Sequence, residues 1–152
     1  LARPIESIRQ ALAYFGTLPL KRWASLIALN SAGDAAPELL RTGMVRARTC
    51  ELLAEQRGEA TPELFFTTGL LSVLDALFNR PMQAILAELP LTPSTAAALL
   101  DGGGAQGEVL QRALACERCD WDGLGSTPAG VQDTWTCYTN ALQWADAAVA
   151  AL

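Results

Sequence analysis

The sequence contains three Thr-Pro pairs, each of which is typical of a helix start: Thr61-Pro62, Thr92-Pro93 and Thr127-Pro128. A threonine can accept from the free amides of a first helical turn, and a proline fits the first helical position because its missing donor is not needed there. Glycines mark helix ends, at Gly16, Gly58 and Gly102-Gly103-Gly104. These signals predict about eight helices, near residues 5–15, 20–30, 37–57, 62–79, 81–88, 93–101, 106–121 and 128–151.

The balance of apolar residues also favours helix. Ala and Leu dominate, whereas Val and Ile, which suit a pleated surface, are few. With 152 residues the chain is long enough for one compact domain, since a length in this range buries roughly 70% of the unfolded surface. We therefore expect an all-α multi-helix bundle with almost no sheet.

The predicted helix over 62–79 is apolar on nearly every side, so we expect it to be the central, buried one. Asp75 is the only charge between Glu63 and Arg80. A carboxylate in such surroundings must reach the edge of the core or find a donor. Arg46 and Arg48, on the preceding helix, are the candidate donors.

The last predicted helix carries one apolar seam in alternating steps of four and three residues: Val131, Trp135, Tyr138, Leu142, Ala145, Val149 and Leu152. Such a seam must be covered by another surface. Packing on the helix's own bundle is commoner than packing on a partner chain, so we expect residues 126–152 to dock on residues 1–125. Trp135 and Tyr138 remain candidates for partner contact.

The chain contains no histidine. Without imidazole there is no Ser-His or Cys-His pair, no His-bearing metal site and no usual general base near neutral pH. Most hydrolase chemistry is thereby excluded, and we expect neither catalysis nor a cofactor.

The formal net charge is −5, and no segment is dense in Lys or Arg. Binding to a phosphate backbone depends on such a basic footprint, so nucleic acid is not an expected partner. No stretch has the roughly 18 consecutive apolar residues of a membrane span, and the first residues do not resemble a secretory signal. These features predict a cytoplasmic protein without a membrane partner.

The four cysteines lie within predicted helices, where we expect them to be reduced and to pack as small hydrophobes. Cys116 and Cys119 supply at most two metal ligands, and packing is favoured over metal. The glycine-rich segment 101–108 lacks the Lys-Ser or Lys-Thr of a phosphate loop, so it is interpreted as a helix connection. Asp120 and Asp122, on either side of Trp121, are interpreted as a solvated turn rather than a cation site.

Two arginines and a glutamate, Arg46, Arg48 and Glu51, share one predicted helix. Arg48 and Glu51 have the spacing of an intrahelical ion pair, and surface pairing is the favoured interpretation. The functional alternative is that these residues grip an acidic partner or ligand, because guanidinium groups bind carboxylates and phosphates in a bidentate manner.

Six segments, in this order and spacing, resemble the HDOD domain (HD-related output domain) of bacterial EAL-HDOD signalling proteins. They are residues 5–12, 20–23, 46–54, 69–77, 81–82 and 116–121, and they include Arg46-Ala47-Arg48, Gly69-Leu70-Leu71 and Trp121. The resemblance covers roughly residues 4–125 and leaves the last helix outside. It implies an HD-domain-like helical bundle attached to a module that resembles a cyclic di-GMP phosphodiesterase. The family's domain usually begins with helices upstream of Ile5, which we expect to be missing here.

HDOD domains are similar to metal phosphohydrolases in which a Gly-Leu-Leu-His-Asp sequence on the central helix supplies two metal ligands. Ser72 and Val73 occupy the corresponding positions of this chain. The resemblance thus implies a scaffold without its metal site.

These observations predict a non-catalytic regulatory domain that acts through protein–protein contact, with Arg46, Arg48, Glu51, Trp121, Trp135 and Tyr138 as candidate interaction residues. The expected partners are other signalling domains or proteins, including an EAL domain of the same parent chain, and a homodimer is left open. The alternative is a small-ligand sensor in which Arg46 or Arg48 binds a nucleotide phosphate. A residual hydrolase that uses carboxylates and thiols is the least favoured hypothesis.

Overall fold

The computed structural model describes residues 35–124 and 128–150. Their helices are α1 (Ala35–Gln56), α2 (Pro62–Leu71), α3 (Leu74–Phe78), α4 (Met82–Leu86), α5 (Pro93–Asp101), α6 (Gly104–Glu117) and α7 (Pro128–Ala150), with a 3-10 turn over Asp122–Leu124. No strand occurs within these ranges, which confirms the predicted all-α class. The helices predicted at 5–15 and 20–30 lie outside the described residues.

Helix ends follow the local signals closely. Thr92 caps α5, because its Oγ1 accepts from the backbone amide of Thr95 at 3.3 Å. Thr61 precedes α2 without a side-chain cap, and Thr127 lies outside the described residues. α1 ends at Gln56, two residues before the predicted stop signal Gly58, whose φ of 72° suits a residue without Cβ.

Two further helices end in the same left-handed conformation at residues other than glycine. Asn79 (φ 48°) follows α3 and Cys119 (φ 53°) follows α6. In each case the next amide bonds back to a carbonyl five residues earlier, Arg80 to Asp75 and Asp120 to Ala115. These hydrogen bonds supply donors to carbonyl groups that have no partner within the last turn of a helix. The prediction that α6 extends to residue 121 was therefore wrong.

The prediction of one continuous helix over 62–79 was also wrong. The chain breaks after Leu71, and Val73 (φ −105°, ψ 1°) starts the short helix α3. Ser72 donates its hydroxyl to the Gly69 carbonyl at 2.7 Å, a local bond of the kind that competes with regular helix. The break places Asp75 on the surface, where it accepts from the Ala76 amide and not from Arg46 or Arg48.

α1 lies at the centre and packs against α2 and α7. A Cβ added to Gly69 of α2 would lie 2.6 Å from the Ala47 Cα and from the Arg46 carbonyl oxygen. Gly69 is buried, and Ala47 is fully buried on the facing side. Small residues at this crossing let the two backbones approach closely.

The main core joins α1, α2, α6 and α7 through buried side chains: Cys50, Leu53, Ala54, Phe65, Val109, Leu110, Ala113 and Cys137. α7 packs on α1 in a second cluster of Val45, Ala141 and Ala145, against which Tyr138 and Leu142 also pack. The seam of the last helix thus packs against its own bundle at Tyr138, Leu142 and Ala145. The side chain of Val149 lies outside the described residues.

The buried side chain of Gln106 in α6 is hydrogen-bonded to both α2 and α5. The Gln106 side-chain oxygen accepts from Thr68 at 2.8 Å and from Thr95 at 3.0 Å. Behind it, a Cβ on Gly107 would lie 2.2 Å from the backbone carbon of Gly102, so the two helices meet with almost no gap. The glycine-rich segment is therefore the helix connection that the sequence predicts. No helix within the described ranges is long and apolar enough to cross a bilayer.

Candidate functional site

Arg46 joins three segments that are distant in sequence. Its Nε and Nη2 donate to the two carboxylate oxygens of Glu117 at 2.8 and 2.7 Å, and its Nη1 donates to the Ser72 hydroxyl at 3.2 Å and carbonyl at 3.3 Å. α1 is thereby tied both to the end of α6 and to the break between α2 and α3. The bidentate geometry gives this ion pair directional strength.

The arrangement around Ser72 does not activate a nucleophile. The hydroxyl donates its proton to the Gly69 carbonyl while its oxygen accepts from Arg46, so the proton is held by a backbone carbonyl and not by a side chain that could act as a general base. Val73, at the second position where the resemblance puts a metal ligand, is buried. Among residues 35–124 and 128–150, no three His, Cys, Asp or Glu side chains come together in a way that could hold a metal ion.

Arg48 makes the predicted intrahelical pair with Glu51, at 2.6 Å. Its guanidinium carbon also lies 6.0 Å from the ring centre of Trp144, and that ring meets Phe66 edge-on at 6.0 Å. The charges of Arg46 and Arg48 are thus both matched by carboxylates within the chain. Trp144 was not predicted, because its position is off the apolar seam used to interpret the last helix.

Trp121, Trp135 and Tyr138 form a cluster that we call the aromatic patch. Trp121 lies 5.7 Å from Trp135, and Trp135 lies 6.0 Å from Tyr138, measured between ring centres. Trp121 is 52% exposed and Trp135 37%, whereas Tyr138 is half-buried. The structure therefore brings three of the six predicted interaction residues together on one surface, although they come from the turn after α6 and from α7.

The charge of Glu117, the partner of Arg46, also affects Tyr138 of the aromatic patch. The pKa of the Tyr138 phenol is raised, and burial is the largest cause. The negative charge of Glu117 raises this pKa further, while the positive charge of Arg41 lowers it. Glu117 thus interacts electrostatically with both Arg46 and Tyr138. The sequence offered no signal for Glu117, because its partner Arg46 is 71 residues away.

All four cysteines are free thiols. Burial raises the pKa of Cys50 to about 12 and that of Cys116 to about 11, and it also raises the pKa of Cys137. These three fit the prediction of thiols packed as hydrophobes. Cys119 does not, because the left-handed turn places it outside the helix with an exposed side chain.

Asp120 and Asp122 both lie on the surface around Trp121. The Asp120 carboxylate accepts from the Gly123 amide at 3.2 Å and so stabilises the turn that presents Trp121. This matches the interpretation of a solvated turn.

A cavity of about 340 Å³ opens beside Ser72, between the helix break and helices α4, α5 and α6. Leucines form much of its wall, together with the carboxylates of Asp75 and Asp101, and neither Arg46 nor Arg48 lines it. A nucleotide phosphate would be repelled by two carboxylates without a balancing cation. This cavity therefore does not support the hypothesis that Arg46 or Arg48 binds the phosphate of a nucleotide.

Comparison with known proteins relates the chain to parts of larger proteins. It is 29% identical to the uncharacterized protein YuxH of Bacillus subtilis over 150 residues, which are 95% of this chain and 37% of that protein. It is 34% identical to the cyclic di-GMP phosphodiesterase CdgJ of Vibrio cholerae over 122 residues, which are 79% of this chain and 28% of that protein. The chain thus spans about a third of the length of these curated relatives. No family model and no solved structure matches it.

Proposed function

We propose that this chain is an HDOD-type output domain: a non-catalytic regulatory module of a bacterial signal-transduction protein that acts through protein–protein contact. The observation that carries the proposal is the aromatic patch. Trp and Tyr are enriched where proteins bind one another, because they supply large rigid contact areas at low entropic cost. Two neighbouring tryptophans whose rings meet at a tilt and remain partly exposed are suited to such a contact.

The non-catalytic part of the proposal rests on the chemistry around Ser72. A hydroxyl and an isopropyl group stand where the resemblance puts metal ligands, and Arg46 brings a positive charge to that position. The thiols of Cys50 and Cys116 are protonated at neutral pH because burial raises their pKa values. The phosphodiesterase activity for which CdgJ is named would then be carried by segments of that protein outside the matched 28%.

The proposed occupant of the aromatic patch is a cyclic di-GMP signalling domain of the EAL type, attached to this chain or separate from it. Two observations support this choice: the relatives are about three times as long as the chain, and one of them is named for cyclic di-GMP chemistry. The exposed carboxylates of Asp120 and Asp122 flank Trp121 and so place charged groups beside the aromatic rings. A polar rim around an apolar centre is the usual anatomy of an interface.

The test is a calorimetric titration of the 152-residue chain with the EAL-type domain of the protein in which it occurs. We expect Trp121→Ala and Trp135→Ala each to weaken binding by about tenfold or more, as for central aromatic residues of an interface. Trp144→Ala is the matched control, because it removes an equally exposed indole outside the aromatic patch. Thermal melts verify that each variant is folded.

Two results would contradict the proposal. If the domains do not bind at micromolar concentrations, the assigned partner is wrong. If Trp144→Ala weakens binding as much as the two patch variants do, the assigned surface is wrong. Self-association that is lost in Trp121→Ala, without binding to the EAL-type domain, would identify a second copy of this chain as the occupant instead.

A further inference from the structure

A second concave surface lies along α6. None of the residues that line it belongs to the aromatic patch. It has a volume of about 570 Å³ and is bounded by the end of α5, the 3-10 turn and the first turn of α7. Arg112 lines it together with Gln111 and the glycines Gly102, Gly123 and Gly130. We call it the Arg112 groove. Its volume falls within the range of roughly 300–1,000 Å³ typical of small-molecule sites.

Arg112 is partly buried and lacks a carboxylate partner among the described residues. Its Nη2 donates to two neutral acceptors, the Gly130 carbonyl at 3.0 Å and the Thr134 hydroxyl at 2.8 Å. Its Nε is buried without any hydrogen-bond partner, and no bond from its Nη1 is found within the described ranges. A partly buried guanidinium with unused donors is unfavourable unless an acceptor is supplied from outside.

The contrast with the other arginines of the described ranges is informative. Five of them pair with carboxylates at 2.6 to 2.8 Å: Arg41, Arg46, Arg48, Arg57 and Arg80. Arg118 has no such pair, but it is exposed at the end of α6, where water solvates its charge. Arg112 alone within those ranges combines partial burial with an uncompensated charge.

The surroundings of Arg112 favour a negative charge in the groove. The one carboxylate in the lining belongs to Glu108, and it is paired with Arg57 at 2.8 Å. The groove also meets the first turn of the 23-residue helix α7, and the amino end of a long helix carries a partial positive charge. The molecule as a whole is acidic, so this is a local positive site on a negative surface.

We propose that the Arg112 groove binds a small organic molecule through an oxyanion, either phosphate or carboxylate, that accepts from the Nη1 end of the Arg112 guanidinium. The side-chain amide of Gln111 lies on the same wall and offers a further donor. Glycines at three points of the lining leave space for the ligand to approach the backbone. The site does not depend on the aromatic patch. It shares Gly102 and Gln111 with the wall of the acidic cavity beside Ser72 but differs from it in charge, because Arg112 lines only the groove.

The test is a titration of the nitrogen-15-labelled chain followed by NMR. The amide signals of Gly102, Gly123 and Gly130 report on the groove directly. Inorganic phosphate, acetate and adenosine monophosphate are added in turn at constant ionic strength, with chloride as the reference anion. We expect saturable shifts of these three signals with phosphate or acetate, and tighter binding of adenosine monophosphate, because it also fills the organic part of the groove.

The variant Arg112→Gln should weaken binding by about tenfold, the effect of losing one charge-assisted hydrogen bond. The matched control Arg118→Gln removes the same charge from the same helix outside the groove, and it should leave binding unchanged. The absence of saturable shifts with all three probes would overturn the proposal. Equal binding by Arg112→Gln and the unmodified chain would overturn it too.

Arg112 also holds α6 to α7, so its substitution can disturb folding. Glu108→Gln provides a second measurement, because it removes the negative charge from the groove without touching the bonds of Arg112. We expect this variant to bind phosphate about twofold tighter at low ionic strength. Unchanged or weaker binding would count against the site even if Arg112→Gln fails to fold.

Discussion

Arg46 shows how one side chain can join distant segments of a helical bundle. Its guanidinium bonds to both oxygens of Glu117 and to Ser72, so it bridges α1, α6 and the break after α2. The two partners of the ion pair are only 17% and 30% exposed. Solvent screening is therefore weaker here than for the exposed pair of Arg80 with Glu88.

The substitution Arg46→Ala should lower the free energy of unfolding by about 1–3 kcal/mol, because it leaves Glu117 and Ser72 without their charged donor. Arg46→Lys should recover only part of this loss, since a single ammonium cannot make the bidentate contact and reach Ser72 as well. Urea unfolding measures both variants against Arg118→Ala, an exposed arginine without an ion pair in the described ranges. A loss no larger than that of Arg118→Ala would contradict the bridging role.

Helices that have a local start and a local stop could be predicted from the sequence. α5 was placed correctly because Thr92 and Gly102 act within its own first and last turns. The break at Ser72 was missed, since the apolar pattern of Leu70, Leu71, Val73 and Leu74 continues across it. Whether such a segment bends depends on what packs around it, here on Arg46 reaching the carbonyl of Ser72.

The close crossing of α1 and α2 depends on Gly69. Gly69→Ala should destabilise the domain by about 2 kcal/mol or more, because the added Cβ meets backbone atoms of Arg46 and Ala47 that cannot move without separating the helices. Gly43→Ala is the matched control in α1: its Cβ would lie 2.9 Å from a side-chain methyl group of Val73 and no nearer than 3.4 Å to the backbone of α2. We expect the control to cost clearly less, helped by the higher helix propensity of alanine.

Unfolding curves in urea distinguish the two glycine variants. Equal stability of Gly69→Ala and Gly43→Ala would show that the helix crossing adapts to an extra methyl group. The packing at Gly69 would then not fix the position of Arg46 relative to the break.

Across the whole molecule, contacts between distant segments were the part that sequence reasoning could not supply. Arg48 and Glu51 were paired correctly because they are one helical turn apart. Arg46 and Glu117, Arg57 and Glu108, and Arg112 and Thr134 are joined only by the way the helices pack. The sequence therefore identified which residues were candidates for the site. How these residues are arranged, and that Arg112 has no carboxylate partner within the described ranges, could be seen only in the folded structure.

The buried thiols make the stability of the whole domain sensitive to alkaline pH. In the folded state Cys50 has a pKa of about 12 and Cys116 of about 11, well above the usual value near 8.5 for a free thiol. The unfolded chain therefore loses protons from these thiols at a lower pH than the folded one does. Their contribution to stability is fully present below about pH 8 and is lost as pH rises towards 11.

We expect the free energy of unfolding to fall between pH 8.5 and 10, with each of these two thiols approaching a slope of about 1.4 kcal/mol per pH unit at the upper end. Urea unfolding at half-unit pH steps measures the slope. Cys50→Ala and Cys116→Ala should each reduce it, because the variant has no thiol to ionise in the unfolded chain. Cys119→Ala is the matched control, because it removes a thiol that is exposed in the folded state and not part of the core. A double variant of Cys50 and Cys116 with the slope of the unmodified chain would show that other groups cause the alkaline loss, and that these thiols are not held in the core as the structure places them.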